Sequence, residues 1–153
     1  MADTVTRSQD DTERLAEALA AQLHPGSVVL LSGPLGAGKT AFVRGLARGL
    51  GVDPDEVSSP TFTLVHEYRG GRLRLFHADL YRLGRAGAED LGLDELGAHD
   101  GVLAIEWPDR LGHAFSGAIE VEIAVEDETS RRIEIVRGGG SLDPPDQAVS
   151  PKP

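Results

Sequence analysis

Residues 33–40 read G-P-L-G-A-G-K-T and fit G-x-x-x-x-G-K-[ST], the pattern of the phosphate-binding loop (P-loop) of nucleoside triphosphatases. Its glycines at positions 33, 36 and 38 let the backbone turn N–H groups inward and form a nest for an anion. The apolar run 28–31 before the loop is typical of a strand, and residues 39–50 after it favour a helix. Because the motif requires that strand–loop–helix context, the sequence predicts a nucleotide-binding site.

The residue types in the loop match the parts of a nucleoside triphosphate. The helix after the loop directs the positive end of its dipole at the phosphates. Lys39 can reach the β- and γ-phosphates, and the Thr40 hydroxyl can bind the Mg²⁺ ion that bridges them. The chain has 15 basic residues, and only Lys39 and Lys152 are lysines. A chain that otherwise uses arginine therefore has a lysine at the one loop position where a slim, flexible cation is needed. We expect nucleotide contacts from Gly33, Leu35, Gly36, Ala37, Gly38, Lys39, Thr40 and Ala41.

Two acidic residues at predicted strand ends are candidates for metal binding and catalysis. Glu106 follows the apolar run 102–105, which is typical of a buried parallel strand that delivers its carboxyl end to a ligand site. We expect Glu106 to bind magnesium, directly or through water. Asp79 could orient the attacking water or support the metal. A lone acid at a strand end is usually a solvated terminus or a cap, and for Asp79 that alternative is equally good.

Three further side chains lie near these acids in the sequence. Thr61 follows the polar loop 52–60, and its hydroxyl could sense the γ-phosphate. His77 forms H-x-D with Asp79, but that pair alone is a weak metal signal, and a structural histidine is the commoner reading. Trp107 is the only tryptophan; we expect it to pack in the core or at a rim, with a partner anchor as the alternative.

The elements that position these groups can be predicted from periodicity and turn residues. A capping box at Ser8 and Asp11, with leucines at 15, 19 and 23, predicts an amphipathic helix that ends at residues 24–26, after a frayed segment 1–7. Residues 61–69 and 72–83 predict two strands around a two-residue turn, Gly70-Gly71. That register pairs Glu67 with Arg74 and brings residues 58–61 beside Asp79. A short helix at 88–96 and a terminal hairpin of 119–125 with 132–136 complete the pattern.

These elements predict one α/β domain over residues 1–137, with a P-loop NTPase-like, three-layer fold. Its mixed sheet has central parallel strands and antiparallel hairpins. Residues 138–153 are rich in Gly, Pro and Asp and predict a disordered tail. The chain has no cysteine and no apolar run of membrane-spanning length, which favours a cytoplasmic protein without a membrane partner. A net charge of −10 argues against unassisted binding to nucleic acid.

Four segments, taken together, resemble the TsaE (formerly YjeE) family of bacterial P-loop ATPases. They are L-S-G-P-L-G-A-G-K-T, S-S-P-T-F-T-L-V-H-E-Y, H-A-D-L-Y-R-L and I-E-W-P-D-R, in that order, and the resemblance covers residues 8–138. The loop motif is shared by many families, whereas the other three segments together are specific.

The resemblance implies an ATPase, with ATP and Mg²⁺ as cofactors, that is required for threonylcarbamoyladenosine modification of tRNA at position 37. By it Lys39 and Thr40 bind phosphate and magnesium, Thr61 lies in a switch-like loop, and Asp79 and Glu106 are the catalytic acids. Asp79 is an additional candidate for the metal beside Glu106. The family acts with the TsaB and TsaD proteins, so we expect contact with tRNA only through that complex.

Three other functions fit parts of the sequence. A small-molecule kinase of the P-loop class is the main alternative, but residues 84–100 carry one arginine and five acids, unlike a lid that closes over phosphates. A regulatory GTPase would need an N-K-x-D guanine reader, and neither lysine follows an asparagine. A nucleotide-gated binding module with incidental hydrolysis stays open, and assays with and without partners would distinguish it.

Overall fold

A computed structural model of the chain describes residues 2–58, 65–82, 92–96, 98, 100–111 and 115–137. Its described part is built on one seven-stranded sheet with the order β1-β7-β6-β2-β5-β4-β3. The strands are β1 (Ala2–Thr6), β2 (Val28–Ser32), β3 (Val65–Tyr68), β4 (Arg74–Asp79), β5 (Gly101–Glu106), β6 (Ile119–Val125) and β7 (Arg131–Arg137).

The middle of the sheet is parallel and its two sides are antiparallel. Strand β2 pairs in parallel with both β5 and β6, and β5 pairs in parallel with β4. Strands β7 and β1 extend one side and β3 extends the other, each antiparallel to its neighbour. Every residue of β5 is buried, as its continuous apolar run predicts for a strand covered on both faces. The predicted α/β fold with central parallel strands and antiparallel hairpins is confirmed.

Two helices, α1 (Gln9–Ala20) and α2 (Lys39–Leu50), pack against each other and on the sheet. The Ser8 side chain caps α1 by accepting from the Asp11 N–H at 3.0 Å, as the capping box predicts. Both glycines of α2 face α1: a Cβ atom at Gly45 would lie 2.2 Å from the Glu13 carbonyl oxygen, and one at Gly49 would lie 2.5 Å from Ala20 Cβ. Close helix packing therefore explains two residues that otherwise weaken a helix.

The apolar core is divided between the two faces of the sheet. The larger cluster joins α1 and α2 to one face and includes Phe42, Leu46 and Leu75. The smaller cluster includes Phe76, Leu103, Ile105 and Leu93, the last from the short 3₁₀ turn Leu93–Glu95. Trp107, which precedes the 3₁₀ turn Pro108–Arg110, packs against this cluster. A third 3₁₀ turn, Pro54–Glu56, lies in the predicted polar loop. None of the helices in the described ranges is long and apolar enough to cross a membrane.

The prediction of a frayed N-terminus is wrong, because residues 2–6 form the edge strand β1. This strand pairs with β7, placing Thr4 opposite Ile133 and Thr6 opposite Arg131. Thr6 is buried, and its hydroxyl lies 2.8 Å from the hydroxyl of Thr12 in α1. Threonine and valine favour strands when a neighbouring edge is available, and the terminal hairpin supplies that edge.

The predicted two-residue turn at Gly70-Gly71 is also wrong, since strands β3 and β4 are joined by residues 69–73 and Glu67 lies opposite Phe76. The connection is held on α2: the Arg72 N–H donates to the Leu50 carbonyl at 2.6 Å, and a Cβ atom at Gly71 would lie 2.2 Å from that oxygen. The register differs by two residues, so each side chain keeps its face. Glu67 still pairs with Arg74 at 3.2 Å, but diagonally.

Three predicted features fall wholly or partly outside the described residues. Thr61 and its placement beside Asp79 depended on the hairpin register and lie outside them. Of the predicted helix 88–96, residues 92–96 are described and contain only the 3₁₀ turn Leu93–Glu95. The tail 138–153 also lies outside the described residues.

Candidate functional site

The glycine-rich loop leaves strand β2 and wraps around the N-terminus of α2. Gly36 (φ 79°) and Gly38 (φ 107°) occupy the left-handed region, which residues with a Cβ rarely adopt. The Ala37 N–H closes a turn onto the Pro34 carbonyl at 3.1 Å. Gly38 begins the helix without a side-chain cap, so the first N–H groups of α2 lack the usual hydroxyl or carboxylate acceptor. Such an end suits an external anion.

Lys39 lies beneath this loop and is only 5% exposed. Its Nζ donates to the carbonyls of Gly33 and Pro34, the latter at 3.1 Å, and lies 4.1 Å from the centre of the Trp107 ring. Burial lowers the pKa of Lys39, and the nearby carboxylates of Glu106, Asp79 and Asp109 oppose that effect. The ammonium is thus partly dehydrated, held by two carbonyls and an aromatic face.

The two predicted acids come together at the carboxyl edge of the sheet. Asp79 and Glu106 are neighbours in the β4–β5 ladder, and the Leu80 N–H donates to the Glu106 carbonyl at 3.1 Å. The Thr40 hydroxyl donates to Glu106 Oε2 at 3.2 Å, which links the helix start to the strand end. Asp79 accepts from the Tyr81 N–H at 3.0 Å. The structure therefore brings together two candidate acids that the sequence placed at the ends of separate strands.

His77 belongs to this site through Glu106. Its side chain is fully buried, and its Nε2 lies 2.6 Å from Glu106 Oε2. An ionised carboxylate only accepts, so with Glu106 in that form Nε2 would be the donor of this hydrogen bond. Within the described structure, Nδ1 is buried without a hydrogen-bond partner. The sequence signal was the period of two in H-x-D, which sets both side chains on one strand face and towards one edge.

The ring of Trp107 packs against the Lys39 ammonium. In the described ranges, Trp107 is the one non-glycine residue with positive φ, at 62°. This conformation is rare for a bulky residue and requires support. The Trp107 N–H donates to the Leu31 carbonyl at 3.2 Å, and its ring lies 4.9 Å from the Tyr81 ring. The expectation of packing at a rim holds, but the residue packed against it is the loop lysine, which the sequence did not indicate.

These residues border a pocket of about 600 Å³. Its lining consists of Gln9, Leu35, Gly36, Gly38, Lys39, Thr40, Ala41, Arg44, Asp79, Tyr81, Arg82, Glu106 and Trp107. Of the predicted nucleotide contacts, Gly33 and Ala37 do not line this pocket, although the Gly33 carbonyl receives the lysine.

The pocket offers two protein oxygen atoms to a magnesium ion, whose remaining ligands would be phosphate oxygens and water. No group of three or more His, Asp or Glu side chains able to hold a metal occurs among the described residues. Thr40 Oγ1 and Glu106 Oε2 are hard oxygens that lie 3.2 Å apart. Mg²⁺ binds one or two such groups and completes its shell with phosphate oxygens and water. The residues present therefore fit the ion without forming a cage for it.

A mixed sheet with parallel central strands, a glycine loop between β2 and α2, and acids at the carboxyl edge of those strands defines a P-loop NTPase-like fold. A sequence profile described as "Threonylcarbamoyl adenosine biosynthesis protein TsaE" matches residues 6–133. The chain belongs to the TsaE family, whose members are named for tRNA threonylcarbamoyladenosine biosynthesis.

Individual relatives agree with this assignment. The TsaE protein of Aquifex aeolicus is 41% identical over 136 residues, which span 88% of this chain and 96% of the relative. The TsaE protein of Synechocystis is 47% identical over 104 residues, or 65% of this chain and 66% of that one. The crystal structure of YdiB from Bacillus subtilis superposes with a TM-score of 0.68 at 34% identity, covering 86% of this chain and 82% of YdiB.

Proposed function

We propose that this protein binds ATP and Mg²⁺ in the pocket at the P-loop and hydrolyses the ATP slowly, in support of threonylcarbamoyladenosine formation at position 37 of tRNA. The observation that carries the proposal is the convergence of Lys39, Thr40, Asp79 and Glu106 on one pocket at the N-terminus of α2. Each group has the chemistry that one part of Mg-bound ATP requires.

The phosphates of ATP would be held by the loop and the helix end. The uncapped N–H groups of α2 and the positive end of its dipole favour an anion at the mouth of the loop. Lys39 already points along the loop, with its charge satisfied by the Gly33 and Pro34 carbonyls. A phosphate oxygen is a stronger acceptor than a carbonyl, so bound nucleotide should draw the ammonium away from these two groups.

Glu106 and Asp79 are assigned different roles, in holding the metal and in orienting the attacking water. Magnesium, when bound, would supply positive charge that offsets the negative charge on the phosphates. Thr40 and Glu106 would hold the ion, because their oxygens already lie within hydrogen-bond distance of each other. Asp79, on the neighbouring strand end, would orient the attacking water and could also support the metal. Thr61 is proposed to sense the γ-phosphate from the preceding loop.

The protein is proposed to act in the cytoplasm with the TsaB and TsaD proteins. Fast phosphoryl transfer by P-loop enzymes uses an additional cation at the γ-phosphate, often an arginine from a partner. Arg44 and Arg82 border the pocket, and Arg44 is already bound to Glu13 at 3.6 Å. Without a partner's contribution, turnover should stay below about 1 s⁻¹. The net charge of −10 implies that tRNA is reached only through the complex.

The test is steady-state ATP turnover by the purified chain alone and with TsaB, TsaD and tRNA. The proposal expects slow turnover alone, stimulation by the partners, and no salt-sensitive tRNA complex unless the partners are present. Rapid turnover by the isolated chain would contradict the proposed dependence on partners. Tight tRNA binding by the chain alone would contradict the proposed route to tRNA, and no turnover under any condition would favour a binding module.

A further inference from the structure

Arg131, the first residue of β7, lies outside the pocket that we assign to ATP and borders an adjoining cavity of about 370 Å³ together with Gly36, Ala37 and Gly38 of the P-loop. Its Nε donates to the Ala37 carbonyl at 2.9 Å, and its Nη2 donates to the Gly36 carbonyl at 3.3 Å. Its Nη1 donates to the carbonyls of Asp127 and Ser130, both at 2.9 Å. One guanidinium thus connects the middle of the P-loop to the β6–β7 turn, through backbone oxygens alone.

The two P-loop bonds fix which way the loop's N–H groups point. In a trans peptide, the carbonyl of one residue and the N–H of the next point in opposite directions. Holding the Gly36 and Ala37 carbonyls towards Arg131 therefore turns the N–H groups of Ala37 and Gly38 towards the opposite side. The Ala37 N–H is used in the turn onto Pro34, which leaves the Gly38 N–H directed at the anion nest.

The turn that anchors Arg131 is itself held in one shape. Asp127 Oδ1 accepts from the backbone N–H groups of Thr129 at 3.0 Å and Ser130 at 2.8 Å. These hydrogen bonds, that from Thr129 first, lower the pKa of the Asp127 carboxyl. The Glu126 N–H also donates to the Ser130 carbonyl at 3.0 Å, which closes the hairpin. Arg131 thus extends from a closed hairpin to a glycine-rich loop whose own residues provide little stiffness.

We infer that Arg131 is a positioning residue that holds the P-loop in its phosphate-binding shape from outside the pocket that we assign to ATP. This inference rests on the proposed function, because it assigns Arg131 to the affinity for phosphate. The side chain does not touch the reacting atoms. Arginine suits this role because the N–H groups of its planar guanidinium donate to carbonyls of both the P-loop and the β6–β7 turn. The single ammonium of a lysine could not reach both sets of carbonyls in this geometry.

The chain offers a matched control in Arg132, the next residue of the same strand. Its guanidinium pairs at the surface with Glu126 at 3.1 Å and Asp3 at 3.4 Å, and it does not line the pocket. Arg131→Gln and Arg132→Gln therefore remove the same charge from adjacent positions. Only the first removes the contacts to the P-loop. Arg131→Lys retains the charge and loses the fork.

The experiment measures the affinity of each variant for MgATP, MgADP and inorganic triphosphate by calorimetry, together with the unfolding midpoint of the nucleotide-free protein. Arg131→Gln should weaken all three ligands by a similar factor, about tenfold or more, since two hydrogen bonds that shape the shared phosphate nest are lost. The affinity of Arg131→Lys should lie between those of the wild type and Arg131→Gln, and Arg132→Gln should have wild-type affinity. Turnover at saturating ATP should change less than affinity, because Arg131 touches no reacting group.

A second measurement covers the case in which Arg131→Gln is less stable. Amide hydrogen exchange of the nucleotide-free protein should become faster over residues 34–39 in Arg131→Gln and Arg131→Lys, and stay unchanged there in Arg132→Gln. Wild-type affinity in Arg131→Gln, or equal losses in both glutamine variants, would overturn the inference. If the wild type binds no MgATP, the proposed function fails instead, and unchanged exchange over residues 34–39 in Arg131→Gln would then overturn the inference independently.

Discussion

At the scale of single residues, Glu106 is the centre of the site. It is 3% exposed, and one of its oxygens accepts from both Thr40 and His77. It also stands beside Asp79 across the ladder. A buried carboxylate is tolerated where hydrogen bonds replace its lost hydration. The contacts of Glu106 thus allow an acid to be buried next to the place proposed for magnesium.

The two acids should separate metal binding from turnover. Glu106→Gln should weaken Mg²⁺-dependent ATP binding, because an amide is a poorer ligand for a hard cation than a carboxylate. Asp79→Asn should retain binding and lose most turnover, since its proposed role is in orienting water. Calorimetry with and without Mg²⁺, alongside single-turnover hydrolysis, measures both. If the phenotypes are reversed, the two roles are exchanged.

His77 should affect magnesium through Glu106. His77→Leu removes the 2.6 Å hydrogen bond while preserving an apolar volume, and His77→Gln keeps an N–H donor near the position of Nε2. We expect His77→Leu to raise the Mg²⁺ concentration for half-maximal ATP binding about tenfold, as for other partners of metal-binding groups, and His77→Gln to restore most of the affinity.

His66 provides the control for this prediction. It lies opposite His77 in the β3–β4 ladder and bonds the Tyr68 hydroxyl at 2.9 Å, not Glu106. His66→Gln should leave the Mg²⁺ dependence unchanged. An unaltered Mg²⁺ dependence in a folded His77→Leu variant would show that His77 only fills space in the core.

The sequence indicated the candidate residues that belong to a motif and missed the contacts that depend on how the strands and the backbone are arranged. Lys39, Thr40, Asp79 and Glu106 follow from a loop pattern and two strand ends, because parallel strands present their carboxyl ends at one edge. The bond from His77 to Glu106 depends on the β4–β5 register, and the contact of Trp107 with Lys39 depends on a left-handed backbone. Neither contact can be read from composition or spacing: the period of two in H-x-D sets His77 and Asp79 on one face of β4, but it does not show that Glu106 is the neighbour of His77. The role of Thr61 stays a prediction.

At the scale of elements, the α1–α2 contact brings the P-loop helix to its place. Glu13 in α1 is buried and binds Arg48 at 3.0 Å and Arg44 at 3.6 Å, so the helices are joined by ion pairs as well as by close packing at Gly45. Arg48 lies in the last turn of α2, where a cation also opposes the negative end of the helix dipole. The start of α2, which carries Lys39, is positioned by these contacts further along the helix.

A methyl group at Gly45 should destabilise the protein despite improving helix propensity. Gly45→Ala gains about 1 kcal/mol in propensity. Its Cβ would lie 2.2 Å from the Glu13 carbonyl oxygen and 2.7 Å from Ala16 Cβ, which forces the helices apart. Overpacking of this kind typically costs about 1–3 kcal/mol, and backbone contact puts this site at the high end. Denaturant unfolding should show a net loss of about 1–2 kcal/mol; increased stability would mean that the helices are not this close.

The two wrong element predictions share a cause, which is contact with parts of the chain that are distant in sequence. Residues 2–6 are a strand because β7 offers an edge, and the β3–β4 connection is longer than two residues because Arg72 bonds to Ala20, Leu23 and Leu50. Local turn preference favoured Gly70-Gly71 as a tight turn. The tertiary hydrogen bonds from Arg72 outweigh it.

At the scale of the whole molecule, the centre of the fold is predictable and its periphery is less so. The strand–loop–helix unit and the buried strand β5 give the parallel centre of the sheet from motif and hydrophobicity alone. The alternating β6 and β7 segments give the terminal hairpin. The pairing of β1 with β7 at the edge of the sheet cannot be predicted from the residues of either strand alone.

The central claim is that Lys39 binds the phosphates of Mg-bound ATP. Lys39 does not face only the ligand, because it is buried and packs on Trp107. Its replacement therefore also removes contacts within the protein. The unfolding midpoint of each nucleotide-free variant must therefore accompany the binding measurement. Lys152→Ala is the matched control, because it removes the only other lysine of the chain.

The most direct measurement is a calorimetric titration of MgATP into the wild type, Lys39→Ala and Lys152→Ala. We predict saturable binding by the wild type and by Lys152→Ala. Lys39→Ala should weaken affinity by about a hundredfold, because a charge-assisted contact to the phosphates is lost, with a folded protein in each case. Near wild-type affinity in folded Lys39→Ala would contradict the claim that this lysine holds the nucleotide.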